Sequence, residues 1–215
     1  MADEITSEDD LYFWDNEEKD VQAFQRFVTP YYHPCNKPVA MAVGALMPTE
    51  RSAIKVYHKR QFGIPIEDTR VAACNIHEAP PSMSISKRFK YDSECFGCVG
   101  NAITNYPYEK TLAELNQGKR RFDLVYIRNP DFIRNMDWAY VFKKALEWTT
   151  SKGGVVVTLV RREDVRKYQN LLTLLQGLDV TPVFSGETGI PSFEHLPDDD
   201  FHNTMGVFKP THYLE

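Results

Sequence analysis

The chain has 215 residues, of which 42% are hydrophobic, 13% aromatic and 26% charged. That length suits one core, and the composition excludes collagen-like, low-complexity and wholly disordered classes. Four cysteines are not needed as cross-links at this size. The net charge of −5 is unevenly placed: residues 1–20 hold nine acids against Lys19, and setting their −8 aside leaves +3 on residues 21–215.

The longest apolar run, Val155–Val160, is far too short to span a bilayer. No basic stretch followed by an apolar one opens the chain, so the expected location is cytoplasmic, with no membrane partner.

Residues 1–10 lack apolar periodicity, and 1–16 are expected to form an acidic flexible segment ahead of one domain over 17–215. From Glu17 to Val28 the apolar Val21, Phe24, Phe27 and Val28 fall at helical spacing. Pro30, Pro34 and Pro38 then break regular structure. Val39–Leu46 has the composition of a buried strand, and Pro48–Phe62 reads as a helix ending at Gly63.

Val71–Ile76 is a second strand. A short helix is expected near Ser84–Phe89, a weak strand over Cys95–Val99 and a helix over Tyr108–Asn116, capped by Gly118. Phe122–Arg128 is a strand. Met136–Thr150 is a helix with Trp138, Val141, Phe142, Ala145 and Trp148 on one side.

Gly153-Gly154 introduces the strand Val155–Val160. Glu163–Leu178 is a helix with Val165, Tyr168, Leu172 and Leu175 inward. Val180–Phe184 and Met205–Lys209 are the last strands, with 186–203 as a loop. This alternation predicts an α/β fold, Rossmann-like and doubly wound: a mostly parallel seven-stranded sheet with an antiparallel C-terminal hairpin and helices on both faces.

In such a sheet a ligand lies beyond the carboxyl ends of the strands, where the connections reverse direction. The residues at that address are Val43-Gly44-Ala45, Asn75-Ile76-His77, Gly100-Asn101-Ala102 and Arg128-Asn129-Pro130-Asp131-Phe132.

The order of elements over Val39 to Pro210, with FDLVYIRNPD at Phe122–Asp131 followed by a helix and Gly153-Gly154-Val155-Val156-Val157, resembles the class I S-adenosylmethionine-dependent methyltransferase fold family. The resemblance implies S-adenosylmethionine as cofactor. It implies close approach at Val43, Gly44 and Ala45, ribose contact at Asn75 with Ile76 beside it, and adenine contact at Gly100, Asn101 and Ala102, with Arg128 lining the pocket.

The chain departs from the family pattern at three points. One glycine stands where the family's first turn has three, and Asn75 and Asn101 stand where the family has acids. An asparagine oxygen accepts a hydrogen bond but lacks the charge and bidentate geometry of a carboxylate.

Asn129-Pro130-Asp131-Phe132 is similar at three of four positions to the Asn/Asp-Pro-Pro-aromatic segment of amine-directed methylases. There the asparagine oxygen and the first proline carbonyl accept amine protons, and the ring stacks on the substrate. The alternative is a helix-entry turn, with Pro130 ending the strand and Asp131 or Asn135 capping the helix.

Three functional readings stand. One is a methyltransferase acting on an unidentified small molecule or protein. The second is a non-catalytic relative that keeps the fold for binding or scaffolding. The third is a Rossmann-like protein for another nucleotide or metabolite.

Other groups have plainer readings. Cys95-Phe-Gly-Cys98 with His33 and Cys35 has permissive zinc spacing, but buried reduced thiols are the first reading. Lys119–Arg121 and Arg161-Arg162…Arg166-Lys167 read as solvated helix ends, with phosphate contact by a nucleic acid as the alternative. Asp198–Asp200 reads as a solvated loop, His77 and Glu78 as pocket lining, and Tyr31-Tyr32-His33 as packing or as a cap over the ligand.

Overall fold

The computed structural model describes residues 17–44, 49–75, 97–99, 101–115, 121–128, 130, 135–160, 164–191 and 202–210. The expectations placed on 84–89, on His77 and Glu78, on Cys95 and on Asp198–Asp200 lie outside these residues.

Seven strands form one sheet in the order β3-β2-β1-β4-β5-β7-β6. They are β1 (Val39–Val43), β2 (Arg70–Asn75), β3 (Gly97–Val99), β4 (Leu124–Arg128), β5 (Val155–Val160), β6 (Pro182–Pro191) and β7 (His202–Phe208). Strands β1 to β5 pair in parallel, and β7 runs antiparallel to both β5 and β6.

The helices are α1, α-helical over 17–23 and π-helical over Phe24–Val28, α2 (Thr49–Phe62), α3 (Tyr106–Glu114), α4 (Asn135–Glu147) and α5 (Val165–Gln176). Among the described residues no helix is long and apolar enough to cross a membrane.

β1 and β5 are buried along their whole length, as befits parallel strands covered on both faces. Their side chains alternate between two layers. Met41, Val125, Ile127 and Val156 pack with Tyr108, Phe142, Tyr168 and Leu171 of α3, α4 and α5. Ala40, Leu124, Tyr126 and Val157 pack with Val21, Phe24, Ile54 and Tyr57 of α1 and α2. The small Ala40 leaves room on the second face for aromatics: Phe24 meets Tyr126 edge-on at 4.8 Å and Tyr57 at 5.4 Å.

Asp123 locks the amino ends of the central strands. Its Oδ2 accepts the Val39 N–H at 2.8 Å, and its own N–H donates to the Val39 carbonyl at 2.8 Å. Phe122 makes only an isolated bridge with Thr149, so the strand expected from Phe122 begins at Leu124.

The segment before β1 is held by Gly153. The N–H of His33 donates to the Gly153 carbonyl at 3.0 Å, and Gly153 has φ of +87°. A Cβ there would lie 2.6 Å from the His33 carbonyl oxygen, so both conformation and space call for glycine. Tyr32 therefore packs rather than caps, buried with its hydroxyl 2.8 Å from His58 Nε2, while Tyr31 is half-buried beside it and His33 is exposed.

Three sequence expectations are corrected. The loop expected over 186–203 is strand as far as Pro191 and again from His202, because Thr188, buried at 1% exposure, hydrogen-bonds the Asn203 carbonyl across the hairpin. In α5 the buried positions are Tyr168, Leu171 and Leu175, with Leu172 only half-buried. The −8 balance of residues 1–20 does not belong wholly to a solvated segment, since Glu17, Lys19 and Asp20 are buried in α1.

His58 generates a prediction. Its ring is fully buried, Nδ1 finds no partner among the described residues, and burial lowers its pKa from 6.5 to about 3. Below pH 6.5 the unfolded chain takes up this proton and the folded chain does not, so stability present above pH 6.5 is lost as pH falls toward 3. Urea unfolding between pH 6.5 and 4 should show the wild type losing up to about 1.4 kcal/mol per pH unit relative to His58→Phe. Parallel curves for the two proteins would refute the assignment.

Candidate functional site

Register brings the expected residues to one edge. Val43 stands opposite Cys74 on β2 and Ile127 on β4, and Asn75 stands opposite Val99 on β3. Gly44, Asn75 and Arg128 therefore form the next row, at the carboxyl ends of β1, β2 and β4. From β1 the chain steps outward to β2 and β3, then returns to β4 on the other side and continues to β5. The connections thus reverse between β1 and β4, the point at which open α/β sheets generally take a ligand.

Gly44 is exposed, with φ of +71°, and its N–H donates to the Cys74 carbonyl at 2.8 Å. The left-handed conformation turns the chain sharply off β1 and suits glycine. Val43 is buried in the core, so only its backbone faces the edge. Asn75 is the last residue of β2.

After β3, Asn101 is exposed and organises its own turn. Its Oδ1 accepts the Ile103 N–H at 3.1 Å, and its carbonyl accepts the Thr104 hydroxyl at 2.8 Å. Ala102 is buried, and its carbonyl accepts the Tyr108 hydroxyl at 3.0 Å. Pro130 is buried in irregular backbone. Ala45, Ile76, Gly100, Asn129, Asp131 and Phe132 lie outside the described residues.

Arg128 ends β4 in a charged clasp. Its Nε lies 3.1 Å from Asp20 Oδ2, and its Nη1 lies 4.0 Å from Glu50 Oε1. The Tyr126 hydroxyl donates to Asp20 Oδ2 at 2.9 Å. Asp20 comes from α1 and Glu50 from the first turn of α2, so one guanidinium joins two helices to the sheet edge. Burial pushes the Asp20 carboxyl above the usual aspartate range, and Arg128 and Tyr126 pull it back only in part. Burial likewise raises Glu17, against a hydrogen bond from Ser52 and the charge of Arg60.

Two side chains at this edge were not singled out as site residues by sequence reasoning. Asp20 was counted with the acidic leader, although its spacing from Val21, Phe24 and Val28 puts it on the same helical face. Trp138 was read as core, yet its Cη2 lies 3.6 Å from where a Cβ on Gly44 would stand.

The fit to S-adenosylmethionine is therefore divided. The backbone turn at Gly44 matches a need for close approach. The indole against it leaves no layer for a ligand over that glycine in this arrangement, and Glu50 places an acid at the helix end where anions are otherwise favoured.

The remaining motifs are structural where described. Cys74 is buried and Cys35 exposed, both as free thiols. Cys98 is opposite Cys74 in register. Lys167 pairs with Asp164 at 2.8 Å.

Asp20→Asn tests the clasp. The folded chain holds the Asp20 proton at pH values above the 3.8 of a free aspartate, where the unfolded chain has lost it. This residue therefore makes stability fall as pH rises from 3.8 through the raised folded value. The neutral side chain of the variant matches the protonated acid that the folded chain favours, so the variant should lose this part of the pH slope and gain on the wild type as pH rises towards 8. Urea titrations across pH 4–8 check both, and an unchanged slope would remove Asp20 as its source.

No protein-family model and no curated protein sequence matches the chain. Among solved structures it is similar to a protein from Listeria monocytogenes described as a class I S-adenosylmethionine-dependent methyltransferase, with TM-score 0.58 and 8% identity over 93% of this chain and 61% of that one. It is also similar to the PH0226 protein from Pyrococcus horikoshii, with TM-score 0.52 and 12% identity over 90% of this chain and 91% of that one. A third is TrmN from Thermus thermophilus, with TM-score 0.51 and 11% identity over 90% and 52%. The chain thus spans about three fifths of the Listeria protein and half of the Thermus one. At such low identity the likeness is one of fold, and it agrees with the strand order and the antiparallel end of the sheet. The chain shares the fold of these proteins, a mostly parallel Rossmann-like sheet with an antiparallel end.

Proposed function

We propose that the protein is a methyltransferase-type protein of the cytoplasm that binds S-adenosylmethionine beyond the carboxyl ends of β1, β2 and β3. The observation that carries this reading is the turn at Gly44: exposed, at φ of +71°, and at the reversal point of the sheet. The turn Val43-Gly44-Ala45 would lie against the cofactor, with Asn75 and Ile76 at the ribose and Gly100, Asn101 and Ala102 at the adenine.

Asn129, Pro130, Asp131 and Phe132 follow Arg128 and would face the substrate, a small molecule or a protein. Arg128 serves the site by position, since its charge is committed to Asp20 and Glu50. Residues 17–215 act as one domain behind the acidic segment 1–16.

A non-catalytic binding or scaffolding role is the second reading. It is favoured by the same clasp, which surrounds the one described cation of this row with two acids of the chain itself.

Calorimetric titration with S-adenosylmethionine and S-adenosylhomocysteine separates the two readings. The first expects binding in the micromolar range. It also expects Asn75→Ala to weaken binding by about tenfold, as the loss of one hydrogen bond would. Absence of heat and of thermal shift at millimolar ligand would leave the scaffolding reading in its place.

A further inference from the structure

The contact between Trp138 and Gly44 carries an inference of its own. Non-bonded atoms meet at about 3.5–4.0 Å, so a ligand layer between two surfaces needs roughly twice that separation. Trp138 Cη2 stands 3.6 Å from the Cβ position of Gly44, which is one contact and not two. The edge of the indole occupies the layer that a ligand on the glycine turn would take.

Trp138 sits in the first turn of α4, directly after the 129–132 segment. Below it on the same helix, Ala139, Phe142, Ala145 and Leu146 are buried, and Phe142 packs edge-on against Phe208 of β7 at 5.2 Å. The helix is thus anchored from its second turn onward, while the Trp138 side chain is only half-buried.

Trp148, at the far end of the helix, is held differently. Its Nε1 donates to Asn105 Oδ1 at 3.2 Å, and its ring stacks on Tyr108 with an interplanar angle of 7°. Among the described residues no such hydrogen bond holds Trp138. Its ring packs against the core only in part, so contact alone holds it in place.

We infer that Trp138 is the gate of the glycine turn, a specificity-determining side chain whose indole must leave Gly44 before a nucleoside thioether or sulfonium can lie there. This inference rests on the cofactor reading of the site. A closed gate lowers apparent affinity by the fraction of molecules that are open, because only the open form binds. Removing the ring should therefore strengthen binding.

The test titrates S-adenosylhomocysteine into the wild type, Trp138→Ala and Trp138→Phe, with melting curves confirming that each is folded. Both variants should bind about tenfold more tightly than the wild type, the expectation if roughly one molecule in ten is open. Phenylalanine keeps the packing of the first turn but lacks the part of the ring that reaches Gly44, so it carries the test if the alanine variant does not fold.

A chain with Trp14→Phe and Trp148→Phe leaves Trp138 as the single indole. Its emission should shift to the red on ligand addition, as the ring moves into water. Equal or weaker binding by the Trp138 variants, or saturation without an emission change, overturns the gate and leaves the cofactor reading standing. No binding by any of the three proteins overturns the cofactor reading, and the gate with it.

Discussion

The Asp123 carboxylate ties the start of β1 to the start of β4, and the geometry of the far edge depends on that tie. Its side chain takes the Val39 N–H while its backbone exchanges with Val39 and with Val155. Three adjacent strands thereby begin in a fixed register. A parallel strand advances about 3.3 Å per residue, so a slip of one residue at the start would move Gly44 out of line with Asn75 and Arg128. It would also turn every side chain of β1 to the opposite layer. Position at the carboxyl edge of the sheet is decided at its amino edge.

The charges at the ligand end show what the acidic first residues do in part. Glu18 pairs with Arg60 at 2.7 Å on the surface, where such a contact is worth little. Asp20, two residues on, is buried and joined to Arg128 and Tyr126, where losing a partner is costly. The same short run of acids thus contains a solvated pair and a structural one. The difference is only which face of α1 each residue occupies.

Much of the fold was legible in the sequence, because strands buried on both faces leave near-continuous apolar runs. Val155–Val160 is such a run, and its observed bounds match the expected ones. The β6–β7 hairpin was less legible: Gly186, Glu187, Thr188 and Gly189 look like a loop, and it is the pairing of Gly186 and Glu187 with Met205 and Thr204 of β7 that carries the strand through them. The FDLV pattern proved to be a marker of architecture, since Asp123 serves register and Phe122 serves packing.

At the site, the address was legible from the alternation of elements, while the clasp and the indole were not. Both depend on contacts between residues far apart in sequence, such as Asp20 with Arg128 and Gly44 with Trp138. Periodicity assigns a side chain to a face but does not say what stands opposite it.

The π-helical turn at Phe24–Val28 gives α1 a place where a change of one residue in length can be absorbed. Such a turn accommodates one residue more than a regular helix would, and it separates two anchored ends. Before it, Asp20 holds Arg128. Within it, Phe27 stacks on Phe184 of β6 at 4.9 Å. Each residue of an α-helix advances the direction of its side chains by about 100°. Deleting one residue inside this turn would return it to regular helix, whereas a deletion between Asp20 and Phe24 would turn Asp20 away from Arg128. Changes in the length of α1 are therefore absorbed at this turn and resisted before it.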